Sequence, residues 1–106
     1  MTQARPTILI ADDDPLTRLF VKNALEPAGM VVIEATGGKD ALAKFEALPS
    51  DLVILDIMMP EVDGYLTCSR IRSLPRGKRI PILILTGLDD VNSIAQAYQH
   101  GATDFI

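Results

Sequence analysis

The feature that most constrains this chain is a regular alternation of short, wholly apolar runs with stretches of helical periodicity. Ile8 to Ala11, Met30 to Ile33, Leu52 to Leu55 and Ile80 to Leu85 carry no hydrogen-bonding or charged side chain. Strands with one wet face alternate apolar and polar residues, whereas strands covered on both faces read as continuous apolar runs. Between these runs the spacing changes. Asp14-Pro15 opens a first helix, Asp as N-cap and Pro in the first helical position. Leu16, Leu19, Phe20 and Ala24 keep one of its faces apolar, and Pro27 and Gly29 stop it. A second helix is expected over Lys39 to Leu48, with Ala41, Phe45 and Leu48 inward. A third runs from Gly64 to Leu74 with Thr67, Ile71 and Leu74 buried. A fourth carries Val91, Ile94, Ala95 and Tyr98 at i, i+3, i+4 and i+7. Gly101 closes it, and "ATDFI" begins a fifth strand.

Four strand–helix units and a further strand imply right-handed crossovers and a doubly wound parallel α/β sheet. The 106 residues suffice for one domain with a modest core, and no linker or repeat divides them. A net charge of -4 and a pI near 4.7 argue against direct nucleic-acid binding by this domain. The densest basic stretch, Arg76-Gly77-Lys78-Arg79, reads as a solvated loop. No apolar run is long enough to span a bilayer, so no membrane segment is expected. The start, "MTQARPTILIADDD", does not resemble a secretory signal. The single cysteine, Cys68, excludes an internal disulfide and fits a reducing, cytoplasmic location. Its expected role is helix packing.

In parallel α/β sheets, ligands bind outside the carboxyl ends of the strands. The first strand ends in Asp12-Asp13-Asp14, the third in Asp56, and the fourth in Thr86-Gly87. Asp14 is explained as a helix cap. Asp12, Asp13 and Asp56 are not, since no helix starts directly after Asp56. If the first and third strands are neighbours, their ends lie about 5 Å apart and the carboxylates converge. Such a group favours a hard divalent cation, and Mg²⁺ suits a site with few protein ligands. A carboxylate beside that ion is also placed to attack a phosphoryl group.

"ILIADDDP", "LVILDIMMPEVDG" and "PILILTG", in this order and spacing, resemble the receiver domain of bacterial two-component response regulators. The resemblance covers essentially the whole chain. It implies a five-stranded, flavodoxin-like sheet of order 2-1-3-4-5. It also implies a switch that takes a phosphoryl group from a sensor histidine kinase and catalyses only its own phosphorylation and dephosphorylation. Asp56 matches the phosphoacceptor, Asp13 the direct Mg²⁺ ligand, and Asp12 the acid acting through metal-bound water. The backbone carbonyl of Met58 matches the remaining protein ligand. Thr86 matches the switch hydroxyl, and Phe105 the aromatic position that moves with it.

Three departures accompany the resemblance. The family's lysine beyond the fifth strand falls past Ile106, and the fifth helix with it. The chain therefore reads as an incomplete receiver, residues 1–106, lacking the end of the fifth strand and the last helix. That leaves apolar sheet surface through which it can form a homodimer, and predicts lower stability than a complete receiver. Finally, Met58 and Leu88 put apolar groups two residues past Asp56 and Thr86, which predicts a long-lived phosphorylated state; Gly87 leaves room for a bulky donor.

Two rival readings stand beside this one. A Mg²⁺-dependent phosphohydrolase of the haloacid dehalogenase kind needs a second acid two residues past its nucleophile, where this chain has Met58. A pseudo-receiver, a protein-interaction module not regulated by phosphate, would not need the acids that are present. His100, in the last turn before Gly101, is expected to serve the helix terminus. Tyr65 and Tyr98 are expected at surface or edge positions. The stretch from Thr86 to Ile106 also resembles receivers joined to diguanylate cyclase or related output domains.

Overall fold

A computed structural model describes residues 5–85 and 91–105. The order is β1 (Thr7–Ala11), α1 (Pro15–Leu25), β2 (Val31–Ala35), α2 (Gly38–Ala47), β3 (Leu52–Asp56), α3 (Gly64–Ser73), β4 (Ile82–Leu85), α4 (Val91–Gln99) and β5 (Asp104–Phe105). Single turns of 3₁₀ helix follow α1 and α3. The strands are all parallel, in the order β2-β1-β3-β4, with the two-residue β5 paired to the outer edge of β4. The expected parallel α/β sheet is therefore present, with two described residues of β5 at its edge. Among the described residues no helix is long and apolar enough to cross a membrane.

Strand side chains alternate between two covered faces, which is why the runs contain no polar interruptions. Leu9, Ala11, Val53, Leu55, Ile82 and Ile84 join Ala41 and Phe45 of α2, Cys68 and Ile71 of α3, and Ala97 of α4. Ile8, Ile10 and Ile54 point the other way, against Val21 and Leu25 of α1. Cys68 is fully buried, as expected for packing, and burial pushes its thiol up to about 11, away from reactivity at neutral pH.

Several boundaries and faces differ from the sequence reading. β2 begins one residue later and runs to Ala35, because parallel pairing with β1 continues to Ala11↔Ala35. β4 starts at Ile82, after Pro81, whose nitrogen has no proton for the ladder. Leu48 caps α2 and is exposed rather than inward. Among the described side chains of α4, Ala97 is buried and Ala95 is exposed, while Tyr98 is exposed as expected.

The largest departure from what periodicity suggests concerns α1. Leu16, Leu19, Phe20 and Ala24 face outward, Leu16 at 72% and Phe20 at 76% exposure. The helix sits on the sheet through Val21 and Leu25, with Arg18 and Lys22 on the same side. Two apolar stripes compete on this helix, and tertiary bonds made by Arg18 accompany the one that packs inward.

Candidate functional site

The site is built by strand register. Ala11 pairs with Leu55, and one step further along the two neighbouring strands lie Asp12 and Asp56. Asp12 is buried, its N–H donating to Ala35 O at 3.1 Å. Its Oδ1 accepts from the Asp14 N–H at 2.9 Å, while Asp14 turns its own carboxylate to the Leu16 N–H and caps α1 as expected. Asp13 is left exposed between them. One carboxylate oxygen from each of Asp12, Asp13 and Asp56 lies within 4.8 Å of the others.

Asp56 ends β3 half-buried, and its Oδ1 receives the Met58 N–H at 3.4 Å. The following loop turns sharply. Ile57 and Met59 are buried, but the Met58 side chain is 72% exposed beside the acids. Gly64 then brings α3 back against the strand, since a Cβ there would lie 2.2 Å from the Asp56 carbonyl oxygen. Asp63 caps that helix, accepting from the Leu66 N–H at 2.9 Å. The Asp63-Gly64 pair thus both caps the helix and lets its terminus touch the end of the site strand, a duty not read from the sequence.

Electrostatically the cluster is unrelieved. Burial, and then repulsion from Asp12 and Asp13, pushes the Asp56 carboxyl up to about 6, against the pull of the Met58 and Ile57 N–H groups. Burial also raises Asp12, opposed by the Asp14 N–H and reinforced by the charges of Asp13 and Asp14. Among the described residues no ion pair involves any of these three acids. The donor set consists of carboxylate oxygens that repel one another, which fits a hard divalent cation such as Mg²⁺.

Of the residues singled out in the sequence, Asp12, Asp13 and Asp56 come together, with Met58 adjoining. Thr86, Gly87 and Leu88 lie outside the described residues, as does the side chain of Phe105. His100 stays at the end of α4, its ring Nδ1 2.7 Å from Gln96 O and its face against Tyr65.

A parallel α/β sheet with three acids converging beyond β1 and β3 defines a class, and comparison with known proteins agrees with it. The response regulator receiver domain family model matches residues 8–106, and the chain belongs to that family. It is 41% identical over 101 residues to the DNA-binding dual master transcriptional regulator RpaA of a Synechocystis strain, covering 95% of this chain and 42% of the regulator. The chain thus spans about two fifths of the length of such curated relatives. The chemotaxis protein CheY4 of Vibrio cholerae superposes with a TM-score of 0.94 at 31% identity, covering 97% of this chain and 86% of that one. The receiver domain of the sensor histidine kinase PA1611 from Pseudomonas aeruginosa superposes at 0.89 with 27% identity, covering 97% and 84%. That structure has a magnesium ion coordinated in its active-site cleft.

Proposed function

We propose that this receiver works as a phosphorylation switch in which Asp56 accepts a phosphoryl group from the phosphohistidine of a sensor histidine kinase. The observation that carries this reading is the convergence of three carboxylates, two of them with raised pKa values, without an opposing cation among the described residues. Asp12, Asp13, Asp56 and the Met58 carbonyl would hold Mg²⁺. When bound, the ion supplies positive charge to the oxygens of the transferring phosphoryl group.

The chain's own groups do the rest. A carboxylate oxygen of Asp56 attacks phosphorus in line, the P–N bond breaks, and its electron pair leaves on the imidazole. β3 holds the nucleophile rigid, because Val53, Ile54 and Leu55 are packed on both faces. Asp12 and Asp13 disfavour a free anionic carboxylate at position 56, so the cluster is poised for partners that bring positive charge. Thr86 would then turn its hydroxyl to a phosphoryl oxygen. Reaction with water returns the carboxylate, so the chemistry is confined to the protein's own phosphorylation and dephosphorylation.

The kinase partner implies a cytoplasmic setting. Transcriptional regulators among the relatives suggest a DNA-binding output carried outside this domain, and the receiver itself, at a net charge of -4, does not bind nucleic acid. The test is beryllofluoride binding followed by fluorine NMR. Bound fluoride signals should appear only with Mg²⁺ present and vanish in Asp56→Asn. Their absence in the unmodified protein would favour a pseudo-receiver instead.

A further inference from the structure

Among the described residues Arg18 is the least exposed of the ion-pairing side chains, at 14%, and it reaches the acid loop through the Asp12 carbonyl. A guanidinium held out of water needs partners for its donors. Its Nη1 donates to the backbone carbonyl of Asp12 at 2.6 Å, and its Nε to Glu34 Oε1 at 3.3 Å. Glu34 sits near the end of β2, its other carboxylate oxygen 3.7 Å from Lys22 Nζ, and its backbone carbonyl accepts from Lys44 Nζ. One side chain of α1 therefore joins the ends of β1 and β2.

Asp12 is consequently fixed at three points: its N–H on Ala35, its carbonyl on Arg18, and a carboxylate oxygen on the Asp14 N–H. Such restraint has a purpose here. Repulsion among Asp12, Asp13, Asp14 and Asp56 drives the loop to swing its acids out to water. The cationic Arg18 could relieve that repulsion by folding over the carboxylates, which would fill the place of a metal ion. It does not: among the described residues it pairs with Glu34 and none of the clustered acids.

We infer that the Arg18–Glu34 pair is a positioning device for the cation site, Arg18 locking the Asp12 carbonyl so that the acids face Asp56 and Glu34 keeping the guanidinium out of the cluster. This inference rests on the Mg²⁺ reading above, and its test separates the two. Mg²⁺ alone is titrated into the unmodified protein, Arg18→Met, Arg18→Lys, Glu34→Gln and Asp56→Asn, well below every melting temperature. Arg72→Met serves as a control for general destabilisation, because Arg72 bonds at the opposite end of the sheet.

Residues that orient metal ligands typically matter by 10- to 100-fold in affinity, and about tenfold weaker binding is expected for Arg18→Met. Arg18→Lys should recover part of the loss. Glu34→Gln should weaken binding several-fold with little change in melting temperature, and Arg72→Met should lower the melting temperature without touching affinity. If Arg18→Met binds Mg²⁺ like the unmodified protein and merely melts earlier, Arg18 is only structural and the inference falls. If the unmodified protein and Asp56→Asn give the same featureless titration, the Mg²⁺ reading fails instead. Amide exchange in metal-free protein then still judges Arg18: faster exchange at Asp12 and Asp14 in Arg18→Met supports the locking role, and unchanged exchange overturns it.

Discussion

The two ends of the sheet treat charge in opposite ways. At the amino ends, Arg72 of α3 donates through Nε to Gly101 O at 2.8 Å and through Nη1 to Gly77 O at 3.0 Å and Ile80 O at 2.6 Å. Its Nη2 reaches Thr103 Oγ1 at 3.1 Å, and Thr103 in turn accepts from the Ile82 N–H. Asp51 accepts from the Thr7 N–H at 2.7 Å. These charges are spent on neutral backbone and hydroxyl groups, tying the approaches to β4 and β5 together. At the carboxyl ends three acids crowd one another and no described side chain neutralises them. One end holds the fold; the other holds an electrostatic imbalance that a ligand can relieve.

The strongest challenge to this division is Arg72→Ala. It strands several acceptors at once, and a loss of about 3 kcal/mol is expected at roughly 1 per unsatisfied group. At this chain length that lowers the melting temperature by more than about 10 °C, readable by circular dichroism. Mg²⁺ affinity of the folded fraction should stay put. A parallel fall in affinity would show that the two ends are coupled.

Gly64→Ala sharpens the comparison from the other side, because here packing and site meet. The added methyl would press on the Asp56 carbonyl, and overpacking of this kind costs about 1–3 kcal/mol. Unlike Arg72→Ala, it should weaken Mg²⁺ binding as well as stability, since the strand end carrying the nucleophile must shift. A stability loss with unaltered titration would mean that the α3 terminus yields instead of the strand.

A smaller effect tests the imbalance itself. A carboxyl whose folded pKa is raised binds its proton more tightly in the folded than in the unfolded state. Its contribution to stability is therefore present at low pH and lost as pH rises from about 4 through about 6. In metal-free protein, Asp56→Asn should thus be the more stable form at pH 7.5, by roughly 1 kcal/mol once partial exposure is discounted. The difference should vanish near pH 4 in urea titrations. Mg²⁺, which competes with that proton, should bind progressively more weakly below pH 6.

The mildest expectation concerns Met58. Its thioether projects beside Asp56 and offers a water no strong acceptor. The phosphorylated form should accordingly be long-lived, and Met58→Asn should shorten its lifetime several-fold. Phosphoprotein decay on Phos-tag gels would show it. A half-life of seconds in the unmodified protein would contradict this reading.

Much of this was legible in the residues because the signals are local. Apolar runs marked the strands, Asp14-Pro15 marked the helix start, and Asp56 at the end of "LVIL" marked a strand tip that turn chemistry did not require. What escaped depended on contacts distant in sequence. Arg18 and Glu34 are 16 residues apart and Arg72 and Thr103 are 31 apart, with nothing in local spacing to join them. The packing face of α1 was not legible, for a related reason. Leu16, Leu19, Phe20 and Ala24 form a good stripe by periodicity, but periodicity does not choose between two stripes when an inward arginine has bonds to make.

The central claim is that the charge imbalance at the carboxyl ends is a cation-dependent phosphoacceptor. The most direct measurement is intact-protein mass spectrometry after incubation with acetyl phosphate, with and without Mg²⁺, followed by reduction of the acyl phosphate to locate it. One phosphoryl group on Asp56, dependent on Mg²⁺ and absent from Asp56→Asn, is the predicted result. Phosphorylation that persists without a divalent cation, or that maps to another residue, would contradict it.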